Sequence, residues 1–301
     1  MKFTFKEQMN WLTMNQVTYR NQWHYSNFIF QQGLNQESLT QKELQDIQGE
    51  LRQAGILTRN HRVSFEEIPQ HYSYIQKLAR QSFVIGDKVY PEEWNHIHQP
   101  PLLMYYLGHL DVLAKPRVSL VGTRQITDYG RIVTREIAKS LALAGIVTVS
   151  GLADGVDRFA HLGAMQTQDQ STIAVIATGV EMAYPSSHRS LQGKIAEKHL
   201  LLSEYLPTQT AQRHHFVMRN RLVAGLSPAT LVMEAAHKSG SLITANYALQ
   251  FNREVYALPG RITDTESVGC NALLEQGATP ILRLSETVQS IQELHRYQRG
   301  E

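Results

Sequence analysis

The densest cluster of side chains able to hold an anion is Arg213-His214-His215-Phe216-Val217-Met218-Arg219-Asn220-Arg221. Two guanidiniums flanking an amide suit a phosphodiester backbone better than one small carboxylate. Phe216 adds a face on which a base could stack. In an extended segment Arg219 and Arg221 would point the same way, whereas at a helix start they would splay around the terminus. The plain alternative is a solvated charged loop, with one arginine paired to Glu204 or Glu234. Gly122-Thr123-Arg124 offers similar chemistry: a glycine that admits a phosphate to the backbone, a hydroxyl and a guanidinium. Ser150-Gly151 supplies another hydroxyl and glycine. Lys238-Ser239-Gly240-Ser241 opens a helical pattern, so its hydroxyls and free backbone N–H groups form an anion site in waiting. Ser239 or Ser241 could equally be the N-cap alone.

These residues gain weight from where they fall. Apolar runs at 118–121, 146–149, 172–177, 200–202, 230–233, 255–258 and 280–282 read as seven strands, most of them stopping in a small or polar pair such as Ser150-Gly151 or Thr178-Gly179. Helical patterns intervene at 129–143, with Ile132, Val133, Ile137, Leu141 and Leu143 on the buried side, at 157–165, and in a helix that the 238–244 stretch opens and that runs to about Leu249. Strand–helix alternation with nearly all-apolar strands predicts a doubly wound, mostly parallel, Rossmann-like α/β sheet. In such sheets ligands lie at the carboxyl ends of the strands. A further strand over 102–108 is expected at the sheet edge.

Residues 1–82 have another texture, rich in Gln, Asn and aromatics, and read as a small helical domain. Helices are expected over 5–14, 16–32 and 41–54, with Ser38 or Thr40 as N-cap and Gly55 as a C-terminal stop. Trp11, Trp23, Tyr25, Phe28 and Phe30 are its core sooner than a stacking surface. The main domain is then 83–284. Residues 285–301 follow as a C-terminal helix with Val288, Ile291 and Leu294 on one face.

The 301 residues suffice for a full α/β core, and a net charge of +2 requires any basic site to be local. Cys270 is the single cysteine, which excludes an internal disulfide and a cysteine zinc site and fits a reducing cytoplasm. No secretion signal opens the chain and no apolar run approaches the ~20 residues that span a bilayer. Asp154, Asp157 and His161 are too few for a metal site. Asp157 reads as a helix cap or dipole partner and His161 as a structural hydrogen-bonder. There is no Ser-His-Asp set, Walker loop, HExxH or G-x-G-x-x-G. No catalytic centre, metal or cofactor is expected.

The succession VSLVGTR…YG, VSGLADGVDRFAH, TIAVIATGVEMAYP, LLLSEY, HHFVMRNRLVAGLS, TLVMEAAHKSGSLITA and REVYALPG…GCNALLEQGA resembles the DNA-processing protein A (DprA/Smf) family from about Asp87 to Leu282. The resemblance implies an extended Rossmann fold that binds single-stranded DNA without strict sequence preference and with no enzymatic step. It implies protection of incoming DNA, loading of the recombinase RecA in natural transformation, a homodimer, and a SAM-like N-terminal domain. Arg124, the Arg219-Asn220-Arg221 group and Ser239 to Ser241 would hold phosphates; Gly122, Thr123, Ser150, Gly151, Gly179 and Phe216 join them as expected DNA contacts. Three departures stand out. Ser186 and Ser187 follow Tyr184-Pro185 where a basic residue is usual, so Arg189 or Lys194 would substitute. His188 replaces a frequent Asn, and Val217 a frequent Pro. The winged-helix domain that many relatives carry at the C-terminus is not expected here.

Two other functions compete. A nucleotide phosphoribohydrolase of the LOG type has a similar fold, but needs a Gly-Gly-x-Gly-Thr-x-x-Glu arrangement where this chain reads Lys238-Ser239-Gly240-Ser241-Leu242-Ile243. A pure scaffold acting through the C-terminal helix leaves the basic strand ends unexplained. For the dimer, Leu273-Leu274 and the Val288, Ile291, Leu294 face are candidate contacts, or they pack within the chain.

Overall fold

A computed structural model describes residues 1–53, 67–167 and 169–299. It divides into two compact units: Met1–Tyr90 with Pro101–Tyr105, and Pro91–Pro100 with Tyr106–Glu301. The boundary thus falls later than 82/83 and the chain crosses it three times. The C-terminal helix is part of the second unit, not a separate tail.

In the first unit β1 (Lys2–Phe3) pairs with β2 (Leu39–Thr40). The helices are α1 (Phe5–Met14), α2 (Tyr19–Gln31), α3 (Gln41–Gln53) and α4 (Ile68–Arg80). Thr4 and Glu7 cap α1 reciprocally. Thr40 and Glu43 form the same box on α3, so Thr40 and not Ser38 is the cap. Ala54 and Gly55 lie outside the described residues. The sequence reading did not anticipate α4, whose Ile75 and Leu78 are buried. Trp11 and Tyr25 are core residues, while Trp23 is 39% exposed. β3 (Ser82–Val84) pairs antiparallel with β4 (Leu103–Gly108).

The second unit holds β5 (Arg117–Val121), α5 (Asp128–Leu143), β6 (Val147–Ser150), α6 (Val156–Ala164), β7 (Thr172–Val175), α7 (Arg189–Lys198) and β8 (Leu200–Ser203). There follow α8 (Arg213–Gly225), β9 (Ala229–Val232), α9 (Gly240–Gln250), β10 (Glu254–Ala257), α10 (Val268–Glu275), β11 (Thr279–Pro280) and α11 (Leu284–Arg299). The strands run parallel in the order β11-β10-β9-β5-β6-β7-β8. The chain builds outward from β5 to β8, then returns beside β5 with β9 and builds the other way. The switch point therefore lies between β5 and β9, where a crevice must open at the carboxyl ends because successive crossovers diverge to opposite faces.

Both faces of the sheet are covered, and β5 through β9 are buried throughout, which is why they read as unbroken apolar runs. In α5 the buried stripe is Gly130, Thr134, Ile137, Ala138 and Leu141. Ile132 and Leu143 lie off it, 58% and 70% exposed. Leu143 follows Leu141 by about 200° around the helix, so both cannot face the core. Val288 and Leu294 of α11 pack against the core cluster that holds Ile291 fully buried. The Pro91–Pro100 segment is tied down where the Trp94 indole N–H donates to Leu222 O of α8 at 3.1 Å.

Candidate nucleic-acid interface

The crevice at the switch point is a groove of about 740 Å³. Its walls are the loop after β5 (Gly122, Thr123, Arg124), Gly151 after β6, one side of α8 (Arg213, Phe216, Arg219, Asn220) and the start of α9 (Ser239, Gly240, Ser241). Sequence reasoning placed all of these in the site except Arg213. Lys238, Tyr184 and Glu266 also line the groove, and none of the three was among the expected contacts.

The loop after β5 is fixed by one residue of β9's end. The Thr123 N–H donates to the Glu234 main-chain carbonyl at 2.7 Å. The Glu234 carboxylate accepts from the Thr127 N–H at 2.9 Å and the Thr127 hydroxyl at 2.5 Å. Thr127 also caps α5, its hydroxyl accepting from the Gly130 N–H. Arg124 is left exposed at the loop tip, its guanidinium 5.3 Å from the centre of the Phe216 ring. Tyr184 packs against the same Phe216 ring, the two ring centroids 5.2 Å apart. A cation held over an aromatic face, with a second ring beside it, juxtaposes a phosphate ligand and a flat apolar surface.

The Arg219-Asn220-Arg221 group is not a loop or a helix start. The helix begins at Arg213, so the three residues occupy its second and third turns. Two steps of about 100° send Arg219 and Arg221 to different sides. Arg219 lines the groove floor but is 5% exposed, and its guanidinium donates to the carbonyls of Gly151 and Val175. Burial lowers its pKa, opposed by the Asp157 charge. Burial likewise raises the Asp157 carboxyl, opposed by Arg219 and the Ala153 N–H. Arg219 is thus a staple across the ends of β6 and β7. A Cβ at position 151 would overlap its guanidinium, so the glycine leaves the room that Arg219 occupies. Arg221 is 3% exposed and ion-paired to Glu204 at 2.7 Å, outside the groove. The paired alternative holds for Arg221. Asn220 lines the groove and donates to Gly240 O at 3.3 Å, joining α8 to α9.

Four other expected contacts also fall elsewhere. Ser150 is buried and donates to Leu120 O at 2.7 Å, so its hydroxyl ties β6 to β5. Gly179 is needed for packing, since a Cβ there would strike the carbonyls of Leu206 and Pro207. Arg189 and Lys194 are exposed on α7 and line no part of the groove. Ser239 caps α9, its hydroxyl accepting from the Ser241 N–H at 3.3 Å and touching the Ser241 hydroxyl at 2.7 Å. His161 is buried with Nδ1 2.7 Å from the Thr172 hydroxyl, the structural hydrogen bond expected of it. His188, at the position of the frequent Asn, is buried with Nδ1 3.1 Å from Leu152 O.

A doubly wound parallel sheet with an arginine-lipped groove at its switch point defines a Rossmann-like class of protein whose cationic groove lies where such folds place their ligands. Within that class, residues 81–292 match the profile of the DNA recombination-mediator protein A family, and the chain belongs to that family. It is 38% identical to DNA processing protein DprA of Streptococcus pneumoniae, over 78% of this chain and 81% of that one. With Bacillus subtilis DprA the identity is 35%, over 85% and 86%. The match to Smf of Synechocystis is 41% identical but spans only 58% of that protein. The crystal structure of S. pneumoniae DprA superposes with a TM-score of 0.81 at 34% identity, covering 96% of this chain and 98% of that one. DNA processing protein A of Helicobacter pylori, described for its single-stranded DNA binding mode, matches at 0.64 and 31%, covering 71% and 96%.

Proposed function

We propose that this protein binds single-stranded DNA along the strand-end groove, without a chemical step of its own, and as a homodimer protects the strand and loads RecA onto it. The carrying observation is the arrangement of exposed Arg124, Arg213 and Lys238 around one groove that also offers the Phe216 ring and the α9 N-terminus. Cations spaced along a groove follow a phosphate backbone, and aromatic faces accept any base. The relative described for single-stranded DNA binding supports the same reading.

Fluorescence anisotropy of a labelled oligonucleotide across a salt series tests it. The wild-type protein should bind with a steep salt dependence, and Arg124→Ala should shift the logarithmic slope by about 0.7, the contribution of one phosphate contact on a single strand. An unchanged slope for Arg124→Ala, Arg213→Ala and Lys238→Ala would remove the groove from the reading. Release of free base from nucleoside monophosphates would redirect it to a phosphoribohydrolase. RecA loading is checked by an earlier onset of DNA-dependent ATP turnover when the protein is added, and the dimer by light scattering.

A further inference from the structure

One groove residue has the wrong sign for a phosphate. Glu266 sits in the short turn Thr265–Ser267 that leads into α10, and it lines the groove with Ser241, Ile243 and Thr244. Asp157, the other acid in the lining, is engaged by Arg219 and by the Ala153 N–H. Glu266 is not so engaged: its Oε2 is shut off from solvent and meets no hydrogen-bond donor among the described residues. A carboxylate that has lost part of its hydration with no donor in exchange is costly, and a donor reaching its groove-facing part offsets some of that cost.

The residue is held rigidly. Its carbonyl accepts from the Ala235 N–H at 2.7 Å, and the Gly269 N–H donates to Ala235 O at 2.7 Å. Asn271 of α10 bonds both the N–H and the carbonyl of Gly260 at 3.2 Å. The ends of β9 and β10 and the start of α10 therefore form one platform beneath Glu266. Glu266 repels a phosphate that approaches it, while the cationic residues of the lining, Arg124, Arg213 and Lys238, draw the backbone to themselves. Bases of the bound strand then face the carboxylate.

Resting on the single-strand reading above, we infer that Glu266 is a specificity-determining residue that accepts a hydrogen bond from the exocyclic amino group of a base. Cytosine presents an N4 amino donor where uracil presents an O4 acceptor, and a carboxylate distinguishes the two. The groove thus carries a chemical preference superimposed on its general affinity for strands.

The test compares oligonucleotides of equal length made of deoxycytidine or deoxyuridine, which differ at the ring 4-position without the thymine methyl. Binding is measured by anisotropy in EDTA, so that no divalent cation bridges the carboxylate to phosphate. Wild-type protein should bind the deoxycytidine strand about three- to tenfold more tightly. Glu266→Gln, whose amide serves donor and acceptor alike, and Glu266→Ala should both bring that ratio to about one while binding of the deoxyuridine strand strengthens. A wild-type ratio of one, or a ratio unchanged in both variants, overturns the inference. Binding of neither strand overturns the single-strand reading itself, and this inference with it. Since Glu266 Oε2 holds no partner among the described residues, the variants should melt no lower than the wild type, and the ratio is read from folded protein.

Discussion

Arg124 and Arg219 line the same groove and do opposite work. Arg124 is exposed over Phe216 and has a guanidinium to offer; Arg219 is already committed to two strand-end carbonyls and the Asp157 charge. Arg219→Ala leaves the Gly151 and Val175 carbonyls without their donor and the buried Asp157 without its compensating charge, so unfolding in urea should show a loss of about 3–5 kcal/mol. Arg124→Ala should stay within about 0.5 kcal/mol of wild type while weakening strand binding. If instead Arg219→Ala kept full stability and lost DNA affinity, Arg219 would be a direct ligand. Residue type and spacing located the groove through Gly122-Thr123-Arg124 and Ser239 to Ser241, which follow strand ends where the apolar pattern breaks, and through Phe216 in the basic run of α8. They could not divide Arg219 from Arg221. That division depends on where α8 starts, and a basic run without an apolar stripe gives no helical period to read.

At the scale of elements, α6 is fastened to the sheet by a neutral histidine. His161 Nδ1 lies 2.7 Å from the Thr172 hydroxyl, which itself donates to Thr148 O at 2.8 Å. The hydroxyl proton is thereby used, so Nδ1 must be the donor and Nε2 carries the lone pair, buried without a partner among the described residues. Burial, with the charges of His199, His188 and Arg219, lowers the His161 pKa from 6.5 to about 3. Between those values the unfolded chain binds a proton that the folded chain refuses. Stability is therefore complete above about pH 6.5 and falls as the pH drops toward 3, with a limiting slope of about 1.4 kcal/mol per pH unit from this residue. Burial moves His199 the same way, to about 4. Urea midpoints between pH 7 and pH 5 should decline for wild type and decline less for His161→Asn; equal slopes would assign the acid sensitivity elsewhere. The strands and helices of this unit were legible because burial on both faces leaves unbroken apolar runs. α4 was not, since its register of Ile68, Ile75 and Leu78 is sparse among polar residues.

For the molecule as a whole, the question is which surfaces remain for a second copy. The face of α11 carrying Val288, Ile291 and Leu294 looks available in the sequence because amphipathicity shows that a helix has a partner without showing which one. That partner is the core beneath α5: Ile291 is fully buried there, with Val288 and Leu294 packed beside it. A surface already spent inside the chain cannot also hold a dimer together. Ile291→Ala leaves a cavity costing about 2–5 kcal/mol, which in a unit of this size lowers the melting temperature by about 5–15 °C. Light scattering of the same variant should return the wild-type mass at temperatures where it is folded. The opposite pair of results, an unchanged melting temperature with a halved mass, would mean that α11 lifts from its own chain to pack against another. A loss of stability at a constant dimeric mass would assign the proposed subunit contact to another surface, such as that around α10, where Leu274 is only half-buried.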